Sequence, residues 1–306
     1  MTLSLKKAIV MPQVATEYSE QLQQALAGNV DTPALSWIAS AMAGLKDCGD
    51  IMVELGMLSA MARRMMGKHP EFELLSGPLP SLQVSSDIEP ISLLHWSAGD
   101  AARAILYLEA TRLHPDKTEA MITDVFRMGD EFERAAVVRA LSLLPNPATL
   151  KPLALEASRI NSLNLYTALA LNNPYPALYF SEPEINQLIL KSLFNMLDMT
   201  LILGLQNRTN PDLSRMCESY VQERRDAGRE VPQDIWLPLA PHADDTGFAF
   251  IREYLKHELT GHRKFCTLAI PALPNTFQAE ALQLVREQLI IETDKEVRRL
   301  MEKIAN

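Results

Sequence analysis

A helix that is apolar around most of its circumference has to be enclosed by other parts of the chain, and the segment from Ser181 to Leu197 spells one. At about 100° per residue, Ile185, Leu188, Ile189, Leu190, Leu193, Phe194, Met196 and Leu197 point in nearly every direction, so burial is expected. Its start is well marked. Ser181 is placed to cap, Pro183 falls in the first turn, and Glu182 and Glu184 complement the positive end of the helix dipole. Only Glu184, Gln187, Lys191 and Asn195, at i, i+3, i+7 and i+11, form a polar stripe. Asn186 lies on the opposite side, among Leu190, Leu193 and Leu197. A buried amide without partners costs roughly 1–3 kcal/mol, so Asn186 is expected to bond either a neighbouring loop carbonyl or a ligand in a cavity. Two proline turns frame the helix, Asn173-Pro174-Tyr175-Pro176 before it and Asn210-Pro211 after it.

Helical period also dominates the flanks. Val14, Tyr18, Leu22, Ala25 and Leu26 make one face, and Thr32-Pro33 opens a second helix. A third runs from about Asp50 to Gly67, with methionines that read as adaptable core filler or as the lining of a flexible apolar pocket. Residues Pro70 to Pro90 form the longest irregular stretch. A surface connector or a lid is expected there, held down by Leu74, Leu75, Leu79 and Leu82. One arrangement occurs twice: a helix closed by a Leu-Pro-Asn turn, from Arg134 to Asn146 and again from Arg263 to Asn275. Helix–turn–helix units of this kind resemble HEAT-like repeats. The reading is therefore all-α, an irregular HEAT-like stack of antiparallel helix pairs. A single domain is expected over 1–306, with 70–90 as a proline-rich connector and 172–229 as its central motif-bearing region.

Composition narrows the partners. With 306 residues the chain can bury a core, and scarce aromatics (6%) beside abundant Leu, Ala and Met favour helix. A net charge of −9 and no basic stripe argue against nucleic acid as a partner. Arg224-Arg225 and Arg298-Arg299 are each expected near a helix C-terminus, complementing the dipole. Cys48, Cys217 and Cys266 show neither metal spacing nor a disulfide framework, so buried thiols in a reducing compartment are expected. The apolar run Ala8–Met11 is too short for a signal-peptide core, and no window approaches a transmembrane segment. A cytoplasmic protein is expected.

Catalytic signatures are sparse. Asp244-Asp245 reads as a magnesium site or, more simply, as a helix cap with an N-terminal charge. His257 and His262 are five apart across Gly261 and do not share a helix face, while His69 and His114 each precede a proline. His95 beside Trp96 is the best candidate for a functional imidazole. No phosphate loop, nucleophile elbow or Cys/His pairing is visible, and no cofactor is expected. What remains is a concentration of polar side chains around the central helix: Asn173, Tyr175, Tyr179, Glu184, Asn186, Gln187, Lys191, Arg208, Asn210 and Arg215. Turn formation accounts for Asn173 and Asn210. A pocket wall better accounts for Glu184, Gln187 and Lys191, and all ten are candidate ligand-binding residues.

The same stretch resembles the EboA family. The resemblance rests on Asn173-Pro-Tyr-Pro-Ala177, on Glu184-Ile-Asn-Gln187 with Lys191 and Phe194, on Asn210-Pro-Asp-Leu213 with Arg215-Met216, and on Glu223-Arg-Arg-Asp-Ala-Gly-Arg229-Glu-Val-Pro232. It implies a cytoplasmic protein of a bacterial secondary-metabolite operon, concerned with metabolite traffic. Such operons encode a membrane prenyltransferase, a sugar-phosphate cyclase and predicted hydrolase and phosphatase enzymes. The family carries no settled catalytic residues. Two expectations follow: a helical-repeat protein binding a pathway intermediate or partner enzyme, or a helical enzyme acting on an isoprenoid-like or cyclitol-like small molecule in a central pocket. An open surface would favour the first. A closed cavity in which Asn186, Lys191 and Arg215 converge would favour the second.

Overall fold

A computed structural model describes residues 12–67 and 74–305. The run Ala8–Met11, His69 and the first residues of the proline-rich connector lie outside the described residues. The fold is all-α, and its residues group into two compact units, Met1–Tyr179 and Phe180–Asn306.

The first unit holds α1 (Pro12–Ala27), α2 (Thr32–Asp47), α3 (Ile51–Met65), α4 (Ala98–Leu113), α5 (Thr118–Met128), α6 (Glu131–Ala140), α7 (Lys151–Arg159), α8 (Leu163–Ala170) and α9 (Tyr175–Tyr179). Its axis is α4, against which α1, α2, α3, α5 and α6 pack. Small residues make this possible: Ala98, Gly99, Ala101, Ala102, Ala104 and Ala110 are buried and let neighbouring backbones come close. A capping box starts the helix, with Ser97 Oγ accepting from Asp100 N at 3.0 Å and Asp100 Oδ2 accepting from Ser97 N at 2.9 Å. Arg103, fully enclosed on α4, donates through Nε to the Ser59 carbonyl at 3.1 Å. The Ser59 hydroxyl in turn donates to Glu133 Oε1 at 3.0 Å and lies 3.0 Å from the Tyr107 hydroxyl. A buried cation is tolerable only inside such a network.

The connector is less irregular than its prolines suggest. Two two-residue strands, β1 (Ser81–Leu82) and β2 (Ile91–Ser92), pair antiparallel, and Leu74 bridges Ser97. Leu75, Leu82 and Ile88 are buried, whereas Leu74 is exposed. Asn172, with φ of 50°, completes the edge: its side chain accepts from Ser92 N at 2.9 Å and donates to Ser92 O at 2.7 Å.

The second unit holds α10 (Glu182–Phe194), α11 (Leu205–Arg208), α12 (Pro211–Asp226), α13 (Trp236–Leu239), α14 (Asp245–Tyr254), α15 (Thr260–Ala269), α16 (Asn275–Ile291) and α17 (Lys295–Ala305). Helix α12 packs on α10, α13 and α14, and α15 packs on α13, α14 and α17. Arg298-Arg299 falls in the first half of α17, not near its C-terminus. Arg298 instead reaches back to the Glu292 carbonyl, at 2.9 Å from one terminal nitrogen, and so satisfies the end of α16. Arg224-Arg225 does close α12.

The two sequence copies build the same pair of elements. Helix α6 runs directly into a 3-10 turn at Leu141–Leu143, and α15 into one at Ile270–Ala272. In each, the arginine at the fourth helical position donates to carbonyls in the turn before its own helix. Arg134 bonds Gly129 O at 3.0 Å, and Arg263 bonds His257 O at 2.9 Å and Glu258 O at 2.8 Å. The copies then part: a further 3-10 turn at Pro147–Leu150 and α7 follow the first, while the 17-residue α16 follows the second.

Candidate functional site

Helix α10 is not enclosed all round. Ile185, Asn186, Leu188, Ile189, Ser192 and Leu193 are buried, but Phe194 is 70% exposed and Gln187 is exposed outright. The sequence pattern marks apolar positions without saying which of them find a cover. In this helix the row Gln187, Leu190, Lys191 and Phe194, at i, i+3, i+4 and i+7, faces an open groove of about 650 Å³. The other wall is α12, through Asp212, Arg215, Met216, Ser219, Tyr220 and Glu223, again at helical spacing. Leu213, Cys217 and Val221 form the buried face of α12, and Met216 and Tyr220 sit beside it on the groove wall. Met216 is 40% exposed and Tyr220 half-buried, although the Tyr220 hydroxyl itself is buried with no hydrogen-bond partner among the described residues.

The two walls are tied at their N-terminal ends. Asn186 Nδ2 donates to Asn210 Oδ1 at 3.1 Å, and Asn210 Nδ2 returns a bond to Asn186 Oδ1 at 2.9 Å. Asn210 Oδ1 also accepts from Leu213 N at 3.0 Å, which makes it the N-cap of α12, with Pro211 as the first helical residue. Asn186 thus bonds neither a loop carbonyl nor open space but the capping side chain of the next long helix. Leucine at position 186 would leave the Asn210 amide short of partners. Asn186→Leu is expected to lower stability by about 1–3 kcal/mol, read as a shift in the urea midpoint; an unchanged midpoint would show that the pair contributes nothing net.

The other candidates divide by role. Ser181 and Glu184 form the capping box of α10, with Ser181 N donating to Glu184 Oε2 at 2.6 Å. Arg208 donates to the Phe180 carbonyl at 2.6 Å, and burial lowers its pKa. Burial likewise lowers the pKa of the half-buried Lys191. Arg215 pairs with Asp212 one turn earlier on the exposed side of α12. Asn173, Tyr175 and Tyr179 belong to the unit Met1–Tyr179. There Asn173 Nδ2 donates to Val138 O at 3.0 Å and Ala168 O at 2.9 Å, and its Oδ1 accepts from Tyr175 N at 3.0 Å. The Tyr175 hydroxyl donates to Pro147 O at 2.6 Å, and its ring lies 4.6 Å from that of Tyr179. Of the ten candidates, the groove gathers Gln187, Lys191 and Arg215. It adds Leu190 and Phe194, which the sequence pattern placed on an enclosed helix, and Met216 and Tyr220. The signal was the matched i, i+3, i+4, i+7 rows beside the two asparagines.

Elsewhere, Asp244 caps α14, accepting from Thr246 N at 2.7 Å and Gly247 N at 3.1 Å. His95 is half-buried at the end of a 3-10 turn. Cys217 and Cys266 are buried thiols, raised in pKa by burial, while Cys48 is only half-buried. His257 and His262 do come together, with ring centroids 4.6 Å apart, because His257 lies in the turn before α15. Helical periodicity says nothing about neighbours brought together by a turn, so this cluster with Trp236 and Tyr254 was not legible.

Among the described residues no helix is long and apolar enough to cross a membrane. Comparison with curated proteins and with solved structures finds no significant match. Residues 18–240, which include both walls of the groove and the asparagine clamp, match the family described as metabolite traffic protein EboA, and the chain belongs to the EboA family.

Proposed function

We propose that this protein holds an intermediate of a secondary-metabolite pathway and hands it on, with the groove between α10 and α12 as the holding site. The observation that carries this reading is the groove itself, open to solvent, walled by two rows of mixed apolar and charged side chains, and wholly inside the span shared with a metabolite traffic family. Its size suits a small molecule: ligand sites run to about 300–1,000 Å³. A stable protein–protein interface takes about 20–30 residues a side, and the groove is lined by ten. Asn186 is engaged with Asn210, so Asn186, Lys191 and Arg215 do not converge on one enclosed point, which favours binding and transfer over chemistry.

The test is native mass spectrometry of the protein purified from cells that make the pathway's metabolites. The wild type is expected to carry a small-molecule adduct, and Phe194→Asp, which puts a charge on the exposed apolar wall, to lose it. No adduct on the wild type, together with unchanged pathway output from Phe194→Asp, would remove the holding role. A copurifying pathway enzyme instead of an adduct would turn the groove into a docking surface.

A further inference from the structure

Helix α3, in the first unit and apart from the groove, packs on α2, α4 and α5 through one face and leaves the other uncovered. Ile51, Leu55, Leu58, Ser59 and Ala62 fill the inner face. On the outer face Val53, Met57 and Met61 are 68%, 48% and 37% exposed. Exposed apolar residues scattered singly need no explanation. Three at i, i+4 and i+8 are neighbours on a helix surface and make one continuous stripe. A charge closes the stripe at each end. Asp50, the exposed N-cap, uses only Oδ1 in accepting from Met52 N at 2.9 Å. Arg64 is exposed and forms no ion pair or hydrogen bond among the described residues. The adjacent Arg63 is turned elsewhere, to Asp130 at 3.5 Å and over the Phe132 ring. Asp50, Val53, Met57, Met61 and Arg64 stand at −7, −4, 0, +4 and +7 from Met57. At 3.6 residues per turn all five fall within about 80° of arc.

We propose that this face binds a second copy of the chain, α3 against α3 in antiparallel, about a two-fold axis at Met57. An isologous contact requires a self-complementary patch, in which residue i meets j and j meets i. The spacing about Met57 meets that requirement. Met57 opposes Met57, Val53 opposes Met61 of the second copy, and Asp50 opposes its Arg64. Apolar surface covers apolar surface, and acid meets guanidinium at both ends. Parallel packing would set Asp50 against Asp50 and Arg64 against Arg64, so charge chooses the direction as well as the occupant. Methionine suits a surface that is wet in one state and packed in the other, because its unbranched side chain adapts to either. One helix face supplies far fewer than the roughly 20–30 residues a side of a permanent interface. The dimer is accordingly weak and reversible, with a dissociation midpoint of about 10–100 μM.

Sedimentation velocity of the full-length chain over a concentration series tests the assignment, with a circular dichroism melt of every variant. The wild type is expected to pass from monomer to dimer as concentration rises. Met57→Asp puts two like charges on the axis and is expected to raise the midpoint at least about tenfold with the melt unchanged, the position being exposed. Arg64→Asp sets acid against acid at both ends and is expected to raise it about fivefold. Cross-linking reads the direction. In a Cys48→Ser background, Met57→Cys is expected to give an intermolecular disulfide under a mild oxidant. Arg64→Cys is expected to give none, since the two copies of that position lie about 20 Å apart along an antiparallel pair, beyond the reach of a disulfide. A wild type that stays monomeric at about 500 μM, or a dimer that survives Met57→Asp, overturns the assignment and leaves the face to a partner of another kind. Arg64→Cys cross-linking as readily as Met57→Cys overturns the antiparallel register.

Discussion

Replacing Arg263 with alanine is expected to lower the stability of the protein by about 3–5 kcal/mol, the cost of stranding a buried charge by removing its partner. Glu292, whose side chain is 1% exposed, receives two bonds from the guanidinium, at 2.7 Å from Nε and 2.8 Å from a terminal nitrogen. That pairing holds the Glu292 carboxyl below the usual carboxylate range. The same guanidinium closes the turn before α15 through the carbonyls of His257 and Glu258, so its loss also leaves those groups to find water. Urea titrations followed by tryptophan fluorescence measure the effect. Arg263→Lys keeps the charge without the fork and is expected to fall between wild type and alanine. A loss below about 1 kcal/mol for alanine, the range of exposed ion pairs, would mean that the pair is replaceable by solvent.

Acidification below neutrality is expected to remove about 3 kcal/mol between pH 6.5 and pH 4, through His262. His262 is 2% exposed, and its Nδ1 accepts from the Trp236 indole N–H at 3.1 Å, so the neutral ring carries its proton on Nε2. Burial, with the His257 ring beside it, pushes its pKa down from 6.5 to about 4. The unfolded chain takes up a proton near pH 6.5 while the folded protein does not until about pH 4. Between those values the unfolded state holds more protons, and stability falls as the pH falls. Above pH 6.5 the contribution is complete. Tyr254, His257 and Arg263 border the same ring or its helix and stay in place in the test. His262→Gln, which keeps an acceptor for Trp236, is expected to flatten the dependence of the urea midpoint between pH 4.5 and 6.5. An unaltered slope in that variant would assign the acid sensitivity to other groups.

Local chemistry was legible where a few neighbouring residues decide it. Ser181 with Glu184, Asn210 with Pro211, and Asp244 each start a helix as their side chains dictate, because a cap bonds a backbone group two or three residues away. The paired motifs from Arg134 and Arg263 were visible for the same reason: equivalent residues at equivalent spacing make equivalent turns. The family, too, could be recognised from phrases in order along the chain.

Burial was legible only in part. The helix truly enclosed on all sides is α4, whose alanine-rich sequence carries Arg103, Asp100 and Glu109 and has no continuous apolar circumference. Helix α10, the more apolar of the two by sequence, leaves Phe194 exposed. The difference arises because small residues admit more neighbours than large ones, and a charged side chain can be interior once other helices supply its hydrogen bonds.

Helical content, the capped helix starts and the EboA relationship were therefore determined by the sequence alone, since each rests on interactions within a few residues or on residue order. Tertiary structure alone decided that Asn186 bonds Asn210, that His257 meets His262, and that Lys191 shares a groove with Met216 and Tyr220. Those outcomes depend on which faces meet after the chain has turned, and periodicity sorts residues into faces without naming the face opposite.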